Sequence, residues 1–167
     1  ILDTKESWVK QVTWKSQRVI LPRLYDAVLR LLELMAPSYK SGQSPSVEAF
    51  VLDFTDAFWQ VPVRPEEQRF YCATATLDGT KHYIAFLRAA QGSTNGPTLW
   101  ARVIALVCRL TQGLFTPDEM RLMCYVDDPL VALSGTPEQR RLLAATIMLV
   151  WSALGFQLAF AKGQLGQ

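Results

Sequence analysis

The sequence predicts an α+β fold in which an antiparallel sheet carries helices packed on one face. Its apolar runs are short and pair around turn residues, which is typical of antiparallel strands. Residues 97–112 carry a broad apolar face typical of a helix, and the stretch beginning at Pro137 opens with a pattern typical of a capped helix start. The resulting order of strand, hairpin, helix, hairpin, helix and strand suits such a sheet. The 167 residues, half of them hydrophobic, suffice for about one domain with a sizeable core.

The first 46 residues are predicted to form a separate N-terminal segment of helical and irregular character. Residues 1–21 show no clear period, and apolar residues then recur at helical spacing from Leu24 to Met35. Pro37 is expected to end this helix, and a loop is expected over 38–46. The segment holds seven Lys or Arg against four acids. A weakly basic arm suits a nucleic-acid partner, and an ordinary solvated face explains it equally well.

The main domain is predicted over residues 47–167. Residues 47–53 form an apolar run typical of a strand buried on both faces, and it ends in Asp53, where a hydrophobic residue would be expected. A helical turn is predicted at 55–59, and Pro62 then holds the chain extended.

A hairpin and a helix are predicted next. Residues 69–76 and 81–87 alternate around an Asp-Gly turn, and glycine supplies the positive φ that such turns require. The single histidine, His82, has no partner histidine and is interpreted as a strand residue. Residues 97–112 carry a broad apolar face, and Gly113 should end that helix.

Two adjacent acids, Asp127 and Asp128, lie between the apolar runs 122–124 and 130–133. This pattern indicates two half-buried strands with the acids at the bend. Neighbouring carboxylates repel, so one should be pushed toward protonation unless a cation neutralises the pair. A metal site is one interpretation; a solvated turn, where aspartate is common, is the other.

The run from Leu142 to Ala161 contains 20 residues without a charge, a length that raises the question of a membrane span. Thr136, followed by proline and Gln139, is typical of a capped helix start, and Gly155 of a helix stop. The run is therefore predicted to be a helix followed by a strand at 156–160, with no membrane contact.

Cys72, Cys108 and Cys124 are dispersed among apolar residues without a C-x-x-C pair. This predicts reduced core thiols and argues against a zinc site or a disulfide framework. With no signal peptide in the sequence, an intracellular location in cytoplasm or nucleus is expected, rather than secretion.

Four segments together resemble the palm, with part of the fingers, of a reverse transcriptase from a retrovirus or retrotransposon. They occur in the family's order and with compatible spacing between residues 47 and 167. The segments are LDFTDAF at 52–58, QGSTNGP at 91–97, YVDD at 125–128 and GFQLAFAK at 155–162. Each motif is weak alone, and four in series are specific.

The resemblance implies an RNA-directed DNA polymerase, which adds dNTPs to a primer on an RNA or DNA template. It also implies two Mg²⁺ ions, with Mn²⁺ as a substitute, because carboxylate oxygens suit hard divalent cations. The implied principal ligands are Asp53 and Asp127, with Asp128 as third carboxylate and the Phe54 carbonyl completing one shell.

Further residues receive roles by the same resemblance. Lys162 would be the acid for the departing pyrophosphate, and a terminal solvated lysine is the alternative. Phe58 would lie beneath the sugar and exclude a 2′-hydroxyl, or else be a core aromatic. Gln91 and Gly92 would line the nucleotide pocket, and Asp56 is interpreted as a cap of the turn that follows.

Three departures from the family pattern leave alternatives open. Pro129 follows the acidic pair where an ordinary apolar residue is usual, Ala89-Ala90 replaces Leu-Pro, and no pattern of paired basic residues for gripping a triphosphate is evident. One alternative is an inactive relic that binds nucleic acid or serves in assembly. The other is a membrane or interaction domain that uses the uncharged run. The sequence predicts no particular oligomeric state.

Overall fold

The computed structural model describes residues 18–42, 44, 46–93 and 95–166, so the interpretation of residues 1–17 lies outside the described residues. The helices are α1 (Leu24–Lys40), α2 (Pro65–Gln68), α3 (Gly96–Gln112) and α4 (Pro137–Ala153). The strands are β1 (Val47–Val51), β2 (Cys72–Leu77), β3 (Thr80–Ala85), β4 (Met120–Tyr125), β5 (Asp128–Ser134) and β6 (Gln164–Gly166). Short 3₁₀ helices occur at Ala57–Gln60 and Phe160–Lys162. The chain is thus α+β with antiparallel strands, as predicted.

Two compact units divide the described chain. One comprises residues 18–19 and 56–103, and the other comprises 20–55 and 104–166. The first unit contains the β2–β3 hairpin, in which Leu77 pairs with Thr80. Asp78 and Gly79 between them have φ values of 51° and 76°, as a two-residue turn with positive φ at both positions requires. The predicted hairpin is confirmed, and His82 is a strand residue.

A four-stranded antiparallel sheet forms the second unit, with the strand order β4-β5-β1-β6. Val51 is the last residue of β1, and it pairs with Leu130 of β5 on one side and with Gln164 of β6 on the other. Only Phe50 within β1 is buried, so the expectation of burial on both faces holds for part of this strand. In contrast, Val131, Ala132 and Leu133 of β5 are all buried.

Helices cover both faces of the β4–β5 hairpin, so the prediction of helices on a single face is wrong. α1 lies on the face of Met123 and Leu130, which line a pocket with Leu24 and Ala27. α4 covers the other face. Its Arg140 pairs at 3.0 Å with Glu48, which is the strand partner of Leu133. Because consecutive buried residues of β5 point to opposite sides, each side needs a cover.

α1 continues through Pro37 to Lys40, although the sequence predicted that Pro37 would end it. Proline removes one helical hydrogen bond because it has no N–H, but its carbonyl still accepts a bond from Ser41 N at 3.1 Å. The Ser41 hydroxyl also donates to the Ser38 carbonyl at 2.9 Å. One lost hydrogen bond late in the helix is offset by these contacts, and the expected loop begins later.

The last strand also differs from the prediction of 156–160. Gly155 turns the chain with a φ of 87°, and residues 157–159 then run beside Asp53–Thr55 as a single bridge. Strand β6 forms farther along, against β1. Because β1 has already ended at Val51, the segment 157–159 has no regular strand to extend along.

The junction of α3 and α4 forms a buried core around Trp151. Its indole N–H donates to the Thr111 hydroxyl at 2.8 Å, and Thr111 in turn donates to the Val107 carbonyl at 2.8 Å. Phe54 packs with its ring centroid 5.4 Å from that of Trp151 and 5.6 Å from that of Phe156. The uncharged run is interrupted where α4 ends, and none of the described helices is both long and apolar enough for a membrane span.

Candidate active site

The acidic pair lies at the tip of the β4–β5 hairpin, as predicted. Tyr125 pairs with Asp128, which leaves Val126 and Asp127 as the turn. Val126 has a φ of 58°, an unusual value for a β-branched residue at a turn position that favours glycine. Cys124 supports this turn, because its thiol donates to the Val126 carbonyl at 3.5 Å.

Asp53 lies two residues after the end of β1, the strand next to β5 in the sheet. The backbone N–H of Leu52 donates to the Pro129 carbonyl at 3.3 Å, which aligns the end of β1 with the start of β5. Pro129 itself is buried within β5 and is paired with Cys124. The Asp53 side chain is 15% exposed, so most of it is buried.

The charges of Asp127 and Asp53 both act on Asp128. Burial raises the pKa of Asp128 above its ordinary value, and the charges of Asp127 and then Asp53 raise it further. Lys162 opposes this rise. Asp53, far from the acidic pair in the sequence, therefore lies near enough to Asp128 for its charge to act there.

Lys162 also belongs to this cluster. Its Nζ lies 2.5 Å from Asp53 Oδ2, and this hydrogen bond is the largest cause of the raised pKa of Lys162. The backbone explains the placement, because Ala159 N donates to the Asp53 carbonyl at 2.8 Å and Lys162 N donates to the Ala159 carbonyl at 3.0 Å. The lysine is 71% exposed, so it can move away from the carboxylate without unpacking the core.

The donor set suits a hard divalent cation in its chemistry. Carboxylate oxygens are the preferred ligands of Mg²⁺. Burial, followed by the charges of Asp127 and Asp53, raises the pKa of Asp128, and a nearby cation would favour its ionised form. The ammonium of Lys162 stands in for such a cation on Asp53. Across the described ranges no three His, Cys, Asp or Glu side chains are grouped closely enough to hold an ion.

Of two predicted residues next to Asp53, one keeps its expected role available and the other does not. The Phe54 ring is buried, so this residue could meet a ligand only through its backbone. Asp56 precedes the 3₁₀ helix with a φ of 49°, and its carbonyl accepts from Trp59 N at 2.7 Å. Its side chain makes no capping bond, so the interpretation of the Asp56 carboxylate as a cap is wrong.

The predicted nucleotide-pocket residues lie in the unit that contains residues 56–103. Phe58 is half-buried in the 3₁₀ helix, whereas Gln91 and Gly92 form an exposed turn before α3. A Cβ on Gly96 would lie 3.5 Å from a Phe58 ring carbon, so Phe58 packs beside the start of α3. The positive φ of Gly92, 91°, favours glycine at this turn.

One feature near the hairpin was missed by the sequence interpretation. The thiols of Cys108 and Cys124, 16 positions apart on α3 and β4, form a hydrogen bond with each other. Both residues are half-buried, whereas Cys72 is exposed, so the prediction of core thiols is wrong for Cys72. No local spacing marks such a pair, because it depends on how α3 lies along β4.

Comparison with known proteins identifies relatives. A sequence profile of the family described as reverse transcriptase (RNA-dependent DNA polymerase) matches residues 13–167. The chain is 32% identical over 122 residues to a Gag-Pol polyprotein of avian reticuloendotheliosis virus, covering 70% of the chain and 10% of that polyprotein. It is 31% identical over 114 residues to a Gag-Pro-Pol polyprotein of bovine leukemia virus (isolate Australian), covering 66% of the chain and 8% of that polyprotein. The matched region is thus a small part of each viral polyprotein.

Proposed function

The chain belongs to the reverse transcriptase (RNA-dependent DNA polymerase) family, and we propose that its carboxylate cluster is the nucleotidyl-transfer site of an RNA-directed DNA polymerase from a retroviral-type element. In this proposal residues 47–167 are the palm-like domain, and residues 1–46 contribute to the fingers. The observation that carries the proposal is that the charges of Asp127 and Asp53 both act on Asp128, although Asp53 lies far from the acidic pair in the sequence.

The proposed reaction is attack of a primer 3′-hydroxyl on the α-phosphate of a dNTP, with pyrophosphate leaving. Such a reaction asks the protein chiefly for positioning and charge compensation. Asp53 and Asp127 would be the principal ligands of Mg²⁺, with Asp128 as third carboxylate and the Phe54 carbonyl as a further oxygen. When bound, divalent ions would lower the pKa of the hydroxyl and neutralise charge on the phosphates.

Lys162 would donate a proton to the departing pyrophosphate after leaving Asp53. Its ion pair with Asp53 keeps the amine protonated, because the raised pKa of Lys162 favours the charged form. Its exposure gives it the freedom to turn from Asp53 toward a phosphate.

In the unit that contains residues 56–103, Phe58 would exclude a ribose 2′-hydroxyl. Gln91 and Gly92 would contact the incoming nucleotide or the template. These assignments rest on the family motif that each residue matches.

The test is incorporation of dTTP on a poly(rA) template with an oligo(dT) primer, using the reading frame that carries this chain. Asp53→Asn and Asp127→Asn should each lower Mg²⁺-dependent incorporation by 10²-fold or more, on the order expected for loss of a main electrostatic contribution. Asp118→Asn is the matched control, because Asp118 is an exposed acid outside the cluster. Incorporation that survives both active-site substitutions would contradict the proposal.

The specific observation that favours a second candidate is that, in the part of the chain that the structure describes, the acids are not grouped as an ion-binding set. This candidate is an inactive relative that binds nucleic acid or serves in assembly. It predicts template–primer binding that is unaffected by EDTA, with no incorporation by the wild-type protein.

A further inference from the structure

We propose that Cys108 and Cys124 form a reversible disulfide, which makes this pair a redox-modification site beside the acidic turn of the β4–β5 hairpin. Cys108 lies on α3, and Cys124 is the residue before Tyr125 at the end of β4. The inference concerns the thiols themselves and does not depend on the proposed polymerase activity.

The packing of α3 along β4 brings the two residues together. Gln112 at the end of α3 bonds the free edge of β4 twice, with Nε2 donating to the Met120 carbonyl at 3.1 Å and Oε1 accepting from Leu122 N at 3.2 Å. Cys108 is four residues before Gln112, or about 6 Å back along the helix. Cys124 is two residues beyond Leu122, or about 6.6 Å forward along the strand. Because α3 and β4 run in opposite directions, the step back along α3 and the step forward along β4 lead to the same region.

The observed contact between the thiols agrees with this placement. The hydrogen bond between the two thiols lowers the pKa of Cys108 and raises that of Cys124. Cys108 is therefore the thiol that ionises first, and a thiolate is the species that attacks a disulfide. Both residues are partly exposed, which gives a small oxidant a route to the pair.

A low-molecular-weight disulfide such as glutathione disulfide supplies the oxidising equivalents. The Cys108 thiolate attacks one glutathione sulfur, and the S–S bond of glutathione breaks to release one glutathione thiolate, which takes up a proton. The sulfur of Cys124, after losing its proton to solvent, attacks Cys108 and releases the second glutathione. The protein loses two electrons and two protons in all, and the glutathione disulfide gains both. The new S–S bond would be about 2.05 Å long, so the hydrogen-bonded sulfurs must move closer together.

Oxidation would also change the support of the acidic turn. In the reduced chain the Cys124 thiol donates to the Val126 carbonyl at 3.5 Å, next to Asp127. A disulfide has no S–H, so this contact is lost while β4 becomes covalently tied to α3. The turn between Tyr125 and Asp128 would thereby lose a donor on its inner side.

Disulfide mapping tests the proposal. A Cys72→Ser protein, which lacks the exposed thiol, is equilibrated in glutathione buffers of increasing oxidising strength, alkylated and digested with trypsin under non-reducing conditions. The expected product is a linked pair of peptides, residues 103–109 and 122–140. It should appear in monomeric protein, rise with the proportion of glutathione disulfide and disappear on treatment with dithiothreitol.

Other outcomes would overturn the proposal. In the first, Cys108 and Cys124 are both still alkylated under conditions that glutathionylate Cys72 in the wild-type chain. In the second, the linked peptides are found only in covalent dimers. Cys108→Ser in the Cys72→Ser background should accumulate a stable glutathione adduct at Cys124 or remain fully alkylated, and should never give the linked peptides. Because the mapping uses the intact pair, the result stands even if the Cys108 variant folds poorly.

A second measurement, which rests on the proposed function, addresses the turn. Oxidation should lower dTTP incorporation several-fold in Cys72→Ser protein, and dithiothreitol should restore it. Cys72→Ser/Cys108→Ser protein in which Cys124 remains alkylatable, and so carries no glutathione, should be unchanged. An unchanged rate in protein shown to be disulfide-linked would overturn the effect on the turn. If the reduced protein has no activity, the polymerase proposal fails instead, and the mapped disulfide remains.

Discussion

Val126 holds the acidic turn in a backbone conformation that L-residues rarely adopt. Its φ is 58°, and it is the first of the two residues between β4 and β5. Glycine reaches this region at no steric cost, whereas an L-residue pays about 1–2 kcal/mol. The strain is therefore located one residue before Asp127.

Substitution at Val126 tests this strain directly. Val126→Gly should be more stable than Val126→Ala by about 1 kcal/mol, because only the glycine variant relieves the positive φ. At an ordinary strand position alanine would be the more stable of the two. Urea unfolding of the two variants provides the measurement. An alanine variant at least as stable as the glycine variant would show that the turn does not hold this conformation.

The ion pair between Lys162 and Asp53 predicts opposite effects on cation binding and on catalysis. Lys162→Gln removes a positive charge from Asp53, so Mn²⁺ measured by electron paramagnetic resonance should bind more tightly, by roughly two- to tenfold at an exposed site. Incorporation should fall at the same time, if the amine is the proposed acid. Lys81→Gln, which removes an exposed lysine in β3, should change neither. Weaker Mn²⁺ binding in Lys162→Gln would contradict the competition between the amine and the cation.

At the scale of single residues, the charged cluster was predictable and the thiol pair was not. Acids that interrupt apolar runs stand out in a sequence, since burying a charge is unfavourable unless a partner compensates it. Asp53 and Asp127 can therefore be identified from the sequence alone, and Lys162 follows from the family motif that it matches. The Cys108–Cys124 contact was missed because cysteine is an ordinary core residue in such runs.

Thr111 joins α3 to α4 through a buried hydrogen bond, and its removal should be costly. Thr111→Val keeps the shape but leaves the Trp151 indole N–H without an acceptor, so the free energy of unfolding should fall by about 1–3 kcal/mol. Thermal or urea unfolding measures this. Thr146→Val is a matched control, because the Thr146 hydroxyl likewise donates within its own helix, at 2.8 Å to the Leu142 carbonyl, but lies outside the buried core.

The control should lose less than about 0.5 kcal/mol, as for a surface substitution. Equal losses in the two variants would mean that the threonine–backbone bond, common to both, is what matters. A loss confined to Thr111→Val would assign the stability to the indole contact.

Element boundaries were predicted well where local chemistry decides them and poorly where packing does. The capping box at Thr136 and Gln139 starts α4 as predicted, because both of its hydrogen bonds are local. Pro37 does not end α1, since contacts at Ser41 compensate for one missing bond. The last strand was misplaced because its partner, β1, ends two residues before Asp53.

At the scale of the whole molecule, Glu33, which joins α1 to the sheet, should make the free energy of unfolding depend on pH in the acid range. Its carboxylate accepts from Arg30 at 2.9 Å and from Arg121 of β4 at 3.3 Å. The hydrogen bond from Arg30, and the charges of both arginines, lower the pKa of Glu33. A lowered folded-state pKa means that the unfolded chain binds more protons, so this contribution is present above pH 4.5, the ordinary pKa, and is lost as pH falls through the folded pKa.

Glu33→Gln should therefore lower the melting temperature at neutral pH, by on the order of 1–2 °C because the pair is exposed. The difference from wild type should vanish in acid. Calorimetry at a series of pH values is the measurement, and Arg121→Gln should reduce the pH-dependent difference while the Arg30 contact remains. A difference that persists unchanged in acid would exclude the charged contact as its cause.

The overall architecture was predictable only in class. Paired apolar runs indicate an antiparallel α+β fold, which the structure confirms. The strand order β4-β5-β1-β6 and the cover on both faces of the hairpin depend on which apolar surfaces meet. Buried neighbours such as Val131 and Ala132 carry no mark in the sequence that says which helix will cover each.

Pro129 has a consequence for how the acidic cluster is assembled. In a hydrogen-bonded antiparallel pair two residues exchange both bonds, but the proline has no N–H to return to Leu52. The pairing of β1 with β5 ends at this bond. The chain beyond Leu52 bonds instead with residues 157–159, the segment that leads to Lys162. Asp53 and its counter-charge, Lys162, are thus both positioned by the bonds between residues 53–55 and residues 157–159. A substitution that breaks these bonds would displace the Asp53 carboxylate before it disturbed the sheet.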